Sequence, residues 1–308
     1  SIDTTVQEKN ITFPTDSKLH RKIIDKCRNI AEKENLPVRQ SYTRTLKKLS
    51  LDQRFRNHPR NKWKARKADR KEKTIAGRLV RELERNLSPD SRYQSDIDLF
   101  KRILNQKKSD KNKIYSVHEP DVQCISKGKE HKKYEFGNKV SIIYTQTTGV
   151  IIGALGFRNP YDGHTIEPAL EQTERLLGKR TLKTLIGDRG YKGKRQINDT
   201  TIEIPKPFNN RKQSQYQQNK LKKQFRKRAA IEPINGHLKT DHRLNRNFYK
   251  GITGDNINVI LAAAAFNFKR MMNKWKSSFG LEFKIQIVDL IKAIFYQIKN
   301  NIIRKWAF

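Results

Sequence analysis

The chain has 308 residues, 35% of them hydrophobic, enough for one large core or two modest ones. Sixty-seven Lys and Arg stand against 31 Asp and Glu, and this charge of +36 makes nucleic acid the expected large partner and an anionic membrane a poor second. Two distant cysteines, Cys27 and Cys124, exclude a disulfide framework and a paired-cysteine zinc site, and the apolar stretches are too short or too charged to span a bilayer.

A β-branched run, Ile2, Thr4, Thr5 and Val6, opens the chain as a strand with no leader before it, the opening expected of a fragment. Asn10 to Asp16 reads as a loop through Pro14, and Thr15 or Asp16 caps a helix in which Ile23, Ile24, Cys27 and Ile30 recur at helical spacing. Leu46, Leu49 and Phe55 then form a sparse stripe. His58 to Lys73 is nearly all cation around Trp63, and Leu79, Val80, Leu83 and Leu87 restore the stripe before Ser88-Pro89 ends it. This region reads as a basic helical hairpin, too thin in apolar residues to make a good core of its own.

Past Lys113 the period changes to two. Tyr134 to Tyr144 and Val150 to Phe157 read as a hairpin around Thr148-Gly149, and Asp162-Gly163-His164-Thr165 opens a helix that runs through Leu177 and closes at Gly178. Leu182 to Ile186 and Thr201 to Ile204 read as short strands. Tyr216 to about Leu238 is helical again, as is Ile257 to Met272. The order predicts an α/β fold: an RNase H-like mixed sheet of about five strands flanked by helices, with a basic helical insertion between the first and second strands. Residues 1–20 and 113–275 would form the core, 21–112 the insertion and 276–308 a helical tail. In that tail Ile285, Ile287, Ile291, Ile294 and Phe295 alternate with lysines, a pattern that more often packs on its own core or a partner subunit than on a membrane.

Two acids draw attention. Asp188 ends a predicted strand, and although an isolated Asp-x-Gly is usually only a turn, the carboxyl ends of strands are where sites form in such sheets. Glu232 and Asp241 are the only acids between 206 and 250, a stretch otherwise dense in Lys and Arg. A lone Glu on a solvated helix would explain the charge but not the apolar Ala229, Ala230, Ile231 and Pro233 around it. If the helix continues, Phe225, Arg228, Glu232 and Lys239 share one stripe, although Pro233 and Gly236 threaten that continuity. Carboxylates from separate elements are the oxygen ligands that Mg²⁺ or Mn²⁺ prefers, and a pair of such ions is what displacement at a phosphodiester uses. His118, His131, His164 and His237 are too scattered to read as a zinc set, and His237 is the one expected near substrate.

These residues carry a resemblance. Asp188-x-Gly190-Tyr191, then Arg228-x-x-x-Glu232 and Lys239, looks like the signature of bacterial insertion-sequence transposases of the DDE superfamily. Ser1 to Asn10 with Pro14-Thr15-Asp16 resembles their first catalytic strand. His118-Glu119-Pro120, Lys127-Gly128-Lys129, Tyr134-Glu135-Phe136-Gly137 and Asn159-Pro160-Tyr161-Asp162-Gly163-His164-Thr165 continue the match in order. The resemblance implies catalytic and metal-binding acids Asp3, Asp188 and Glu232 with two Mg²⁺ or Mn²⁺ ions; Glu119 or Asp121, on the segment entering the hairpin, stand in reserve for the first acid. It implies Arg228 and Lys239 on the DNA backbone; Arg189 and His237 are the further DNA contacts expected there. Phe225 stands where many members have Tyr, and the amino-terminal DNA-end-binding domain usual in the group does not precede Ser1.

The expected activity is metal-dependent DNA cleavage at insertion-sequence ends followed by strand transfer, by a homodimer on paired ends in the bacterial cytoplasm at the nucleoid. The alternatives are a DNA nuclease without strand transfer and a non-catalytic DNA-binding remnant. Arg66, Lys67, Arg70 and Lys71 of the insertion, with Trp63 and Tyr93 near for stacking, are expected to clamp the DNA backbone without reading sequence.

Overall fold

The computed structural model describes residues 1–126, 132–178, 182–191, 193, 195–205, 214–278, 291, 292 and 296. His131, the motif Lys127-Gly128-Lys129 and nearly all of the tail from Leu281 lie outside the described residues.

Strand β1 (Ile2–Glu8) runs antiparallel to β3 (Tyr134–Tyr144), from Ile2 opposite Ile143 to Glu8 opposite Gly137. The other edge of β3 carries β2 (Gln123–Ser126) and then β4 (Ile151–Phe157), both antiparallel. Because side chains alternate across a strand, this sheet is apolar on both faces and needs a layer on each. Ile2 and Ile143 pack with Ile166, Ala169 and Leu170 of helix α5 (Ile166–Leu177), which a 3-10 turn at Asp162–Thr165 leads into. Val140, Ile142 and Tyr144 face the opposite way, onto α7 (Ile231–Thr240) and α8 (Gly251–Ser278) through Ile231, Ile234, Leu238, Val259 and Phe266. Gly153 lets α5 lie close, since a Cβ there would meet the Thr173 hydroxyl at 2.1 Å. Gly178 ends α5 at φ 62°, a left-handed turn that glycine enters without strain.

The hairpin, α5 and its cap are where the sequence pattern places them. The single mixed sheet is not. Strand β5 (Thr184–Ile186) pairs in parallel with β7 (Thr200–Glu203), which pairs with β6 (Gln196–Ile197), so the described strands form one sheet of four and one of three. Side chains rather than backbone bonds join them: Leu185, Ile197 and Ile202 share a core with Ile2 and Ile143. Strands β2 and β6 are too short to show a period of two, and neither was expected.

Helices α1 (Asp16–Lys33), α2 (Thr43–Asp52), α3 (Lys62–Asn86) and α4 (Gln94–Asn105) fall between β1 and β2. Thr15 caps α1, its hydroxyl accepting from the Lys18 amide at 3.3 Å. The expectation of too thin a core is corrected here. Ile23, Ile24, Ile75, Ile97 and Phe100 are fully buried in a cluster that all four helices share. Ala68 and Ala76 on α3 allow close helix approach, and the required apolar residues come from helices distant in sequence.

The helix expected from Tyr216 to Leu238 is also two helices, α6 (Gln215–Arg228) and α7. The break falls at Ala229 and Ala230. Pro233 lies in the first turn of α7, where its missing N–H has no acceptor to lose, whereas inside a continuous helix it would clash with the preceding turn. The stripe from Phe225 to Lys239 is therefore interrupted between Arg228 and Glu232.

Candidate active site

Asp3 lies opposite Ile142 on the face of β1 that α7 covers. There the Asn235 amide nitrogen donates to Asp3 Oδ2 at 3.0 Å. Asn235 follows Glu232 by three residues, so the two share a side of α7. Glu232 itself is exposed in the first turn, and its carboxylate has no hydrogen-bond or ion-pair partner among the described residues.

Asp188 lies two residues beyond β5. Its Oδ1 accepts the Gly190 amide at 2.8 Å, a local turn that fixes the carboxylate at the strand end, and its Oδ2 lies 3.4 Å from Arg228 Nη2. Arg228, the last residue of α6, is held from the other side: its carbonyl accepts the Tyr144 hydroxyl at 2.9 Å. Arg189, next to Asp188, is exposed.

Tyr191, three residues after Asp188, is 1% exposed. Its phenol is pushed well above the ordinary range, first by burial and then by the negative charges of Asp3, Asp162 and Asp188. Three aspartates from three segments therefore act electrostatically on one buried hydroxyl, which has the Thr4 hydroxyl close by but no well-formed hydrogen bond. Asp162 belongs to the quoted Asn159-to-Thr165 motif, yet sequence reasoning assigned it no part in the site. It accepts from the Thr4 hydroxyl at 3.1 Å and pairs with Lys139 at 2.9 Å. Thr4 is the neighbour of Asp3 on β1, so adjacent residues of one strand engage partners on its two faces.

The residue types suit a hard divalent cation, and two buried oxygens, Tyr191 Oη and Asn235 Oδ1, lack hydrogen-bond partners among the described residues. The carboxylates are nonetheless not drawn into one coordination sphere. Among the described residues, no three His, Cys, Asp or Glu side chains form a group that could hold a metal ion.

The substitutes considered for Asp3 stand elsewhere. Glu119 lies 3.1 Å from Lys9, just past the other end of β1, roughly 20 Å along the strand from Asp3 at its usual rise. Asp121 pairs with Arg158 at the surface. Lys239 Nζ is 3.4 Å from Glu135 Oε1 on β3, and His237 Nδ1 is 3.0 Å from Asp241. Asp241 is held far below the usual carboxylate range by hydrogen bonds from Lys269, Thr240 and His237. The break before α7 accounts for this separation, since Lys239 no longer lies in line with Arg228. His118 contacts Ser116 at 3.0 Å, and burial lowers its pKa; the His164 ring packs edge-on against Tyr161.

Arg66, Lys67, Arg70 and Lys71 are all exposed on α3, with no ion pair among the described residues, and Trp63 beside them is 60% exposed. Cys27 is a buried thiol pushed up to about 12 by desolvation, and neither cysteine is in a disulfide. No helix among the described residues is long and apolar enough to cross a membrane.

Residues 113–268, half of the chain, match the family model described as the transposase DDE domain. A stretch of 60 residues, 20% of the chain, is 42% identical to the uncharacterized protein ORF8 in the nfe locus of Rhizobium meliloti and spans 29% of that protein. No solved structure matches.

Proposed function

The chain belongs to the transposase DDE domain family, and from that premise we propose that it carries out metal-dependent cleavage of DNA at the ends of an insertion sequence, then transfer of the freed 3′ hydroxyl to target DNA. The observation that carries the reading is the placing of Arg228 3.4 Å from Asp188, together with the hydrogen bond by which Asn235 joins the helix of Glu232 to Asp3. Its mixed α/β architecture is compatible with an RNase H-like transposase domain.

Members of the family generally use divalent metals. Asp3, Asp188 and Glu232 are the acids we propose as ligands of Mg²⁺ or Mn²⁺, which would supply positive charge where negative charge develops at the attacked phosphate, although as they stand they do not form one coordination group. The residues of the chain do the rest. Arg228, anchored through its carbonyl to Tyr144, offers the scissile phosphate a guanidinium already oriented at the acids. Arg189 lies exposed beside it for the flanking backbone. The exposed Arg66, Lys67, Arg70 and Lys71 bind phosphates farther along the duplex and set its register without reading bases. In this reading Lys239 and His237 contact DNA by exchanging Glu135 and Asp241 for phosphate. The core would comprise residues 1–20 and 113–275, the helical insertion 21–112, and the assembly a homodimer on paired ends within the bacterial cytoplasm.

The test is incubation of the protein with a plasmid carrying the element's ends, target DNA and Mg²⁺. Joined products are expected. Cleaved ends without joining would reduce the protein to a nuclease, and binding without cleavage would leave a DNA-binding remnant.

A further inference from the structure

Helix α8 is apolar on two opposite sides, and the fold uses one of them. Its inner side packs Val259, Ala262, Ala263 and Phe266 toward the sheet. Asn256 and Asn267 fasten that side to β4, the first accepting from the Gly156 amide at 2.7 Å and the second bonding both backbone groups of Ile151. On the outer side Ile257, Leu261, Ala264, Phe268, Met271 and Trp275 recur at alternating steps of four and three. All six are exposed, the five large ones by 39% to 53%. Such steps are the seam of a helix that packs lengthwise on another helix. We propose that this seam is a self-association surface, on which a second copy of the chain lays its own α8 antiparallel. The inference gives the homodimer of the proposed function its surface, and rests on that reading only for the dimer's role at paired ends.

Charge selects the occupant. In a chain of which 32% is charged, the thirteen residues from Asn256 to Phe268 carry no charge at all. Nucleic acid, which is drawn to cations, finds none along that stretch. Two chains of +36 repel each other, so they meet best where neither presents charge. Lys269, Arg270, Lys274 and Lys276 all lie at the carboxyl end of α8. A parallel pair would set these four cations against their own copies, whereas an antiparallel pair sets each basic end beside the partner's charge-free end. Centred midway along the seam, the antiparallel pair also places Ala264 against the partner's Phe268, Leu261 against the partner's Met271 and Ile257 against the partner's Trp275. The small residue thus faces a ring, which lets two helices approach closely. With Ile260 at the rim, six large side chains at roughly 90 Å² of exposed surface each would cover about 1,000 Å² over two copies, the least area expected of a specific interface.

Rigidity adds to the case. Asn256, Asn267 and Arg270, which donates to the Thr148 carbonyl at 2.6 Å, tie α8 to the sheet along its length, so the seam is already ordered before a partner arrives. Helix α7, which carries Glu232, packs on α8 through Ile234 and Leu238. Pairing through α8 would therefore put two candidate sites on one particle, one from each copy.

The experiment is sedimentation equilibrium on the full chain, free of DNA and metal, at about 0.1 and about 1 M salt, where the screening length is about 10 and about 3 Å. A reversible dimer is expected, tighter at high salt, because screening relieves the repulsion between copies and leaves the apolar seam intact. Leu261→Glu and Phe268→Glu are each expected to weaken association by about thirtyfold or more, the scale of a central interface residue. Leu176→Glu, at a comparably exposed leucine of α5, is expected to change nothing. Leu261→Cys mixed with Met271→Cys, both carrying Cys124→Ser, is expected to form a disulfide-linked dimer in higher yield than either variant alone. Should glutamate unfold the chain, Phe268→Ala replaces it, since alanine suits a helix. A monomer at every concentration and both salts would overturn the proposal, as would seam variants that associate like wild type or an equal loss in Leu176→Glu. A mixed yield no higher than the separate ones would overturn the antiparallel order. No arm of the experiment involves cleavage, so a monomer removes this inference and leaves the joining assay to decide the reaction.

Discussion

Arg228 and Asp188 meet with Nη2 and Oδ2 3.4 Å apart, although one ends helix α6 and the other follows strand β5. The acid side chain is 40% exposed and the arginine 19%, so the pair is a partly solvated one of roughly 0 to 1 kcal/mol. It is weak enough to open when Arg228 is offered a phosphate and Asp188 a cation. In the proposed reaction Arg228 would exchange Asp188 for a phosphate, and Asp188 would exchange Arg228 for a cation.

Asp188→Asn is expected to abolish metal-dependent cleavage while leaving DNA affinity near the wild-type value, because the change removes a cation ligand but no positive charge. Cleavage assays and binding isotherms at one salt concentration check it. Unchanged cleavage would remove Asp188 from the site.

Replacing Arg66, Lys67, Arg70 and Lys71 by glutamine is expected to weaken binding equally for all duplex sequences. All four are exposed on one helix, and removing each charge that neutralises a phosphate should reduce the slope of log affinity against log salt by about 0.9, up to about 3.6 for four. Salt titrations on two unrelated duplexes measure it. Weakening confined to one sequence would contradict backbone clamping.

Lys9→Met is expected to destabilise the fold by about 3 to 5 kcal/mol, the usual cost of removing one partner from a buried charge cluster. Lys9 Nζ sits 2.6 Å from Asp255 and 3.1 Å from Glu119, with all three side chains at most 8% exposed. Without the ammonium the two acids face each other in a desolvated space. Chemical denaturation measures the effect, and the added change Asp255→Asn is expected to recover part of it.

His20 makes the helical insertion sensitive to acid. Burial is the main cause lowering its pKa below the ordinary 6.5, with Lys73 acting the same way and Asp16, Glu72 and Asp69 opposing. A histidine that is harder to protonate when folded stabilises the protein above pH 6.5, and that contribution is lost as pH falls through the folded value. Denaturation midpoints are expected to drop between about pH 7.5 and 5.5, and His20→Leu is expected to flatten that drop. An equal drop in the variant would assign the sensitivity to other groups.

Much of the local structure could be read along the chain. The change of period at Tyr134, the turn at Gly149, the cap at Thr15 and the left-handed Gly178 are each written in a few neighbouring residues, because hydrogen bonding and backbone strain act over that range. Strands β2 and β6 were missed because two to four residues cannot display a period. The break between α6 and α7 was signalled by Pro233, but whether a proline kinks a helix or starts a new one depends on what the two halves pack against. The core of the insertion escaped notice because each helix brings few apolar residues and only their sum fills the space.

The sequence by itself determined the charge, the basic surface, the order of most elements and, through the motif at Asp188-x-Gly190-Tyr191, the family. Only the tertiary structure decided that Asp3 takes a hydrogen bond from Asn235, that Asp162 bonds to Thr4 and stands with Asp188 beside Gly190, and that Lys239 pairs with Glu135 instead of aligning with Arg228. Composition and periodicity express interactions between residues close in the chain. Which acids share a corner is set by how sheet faces and helices bury their apolar sides, and those contacts join residues as far apart as Asp3 and Asn235, 232 positions from each other.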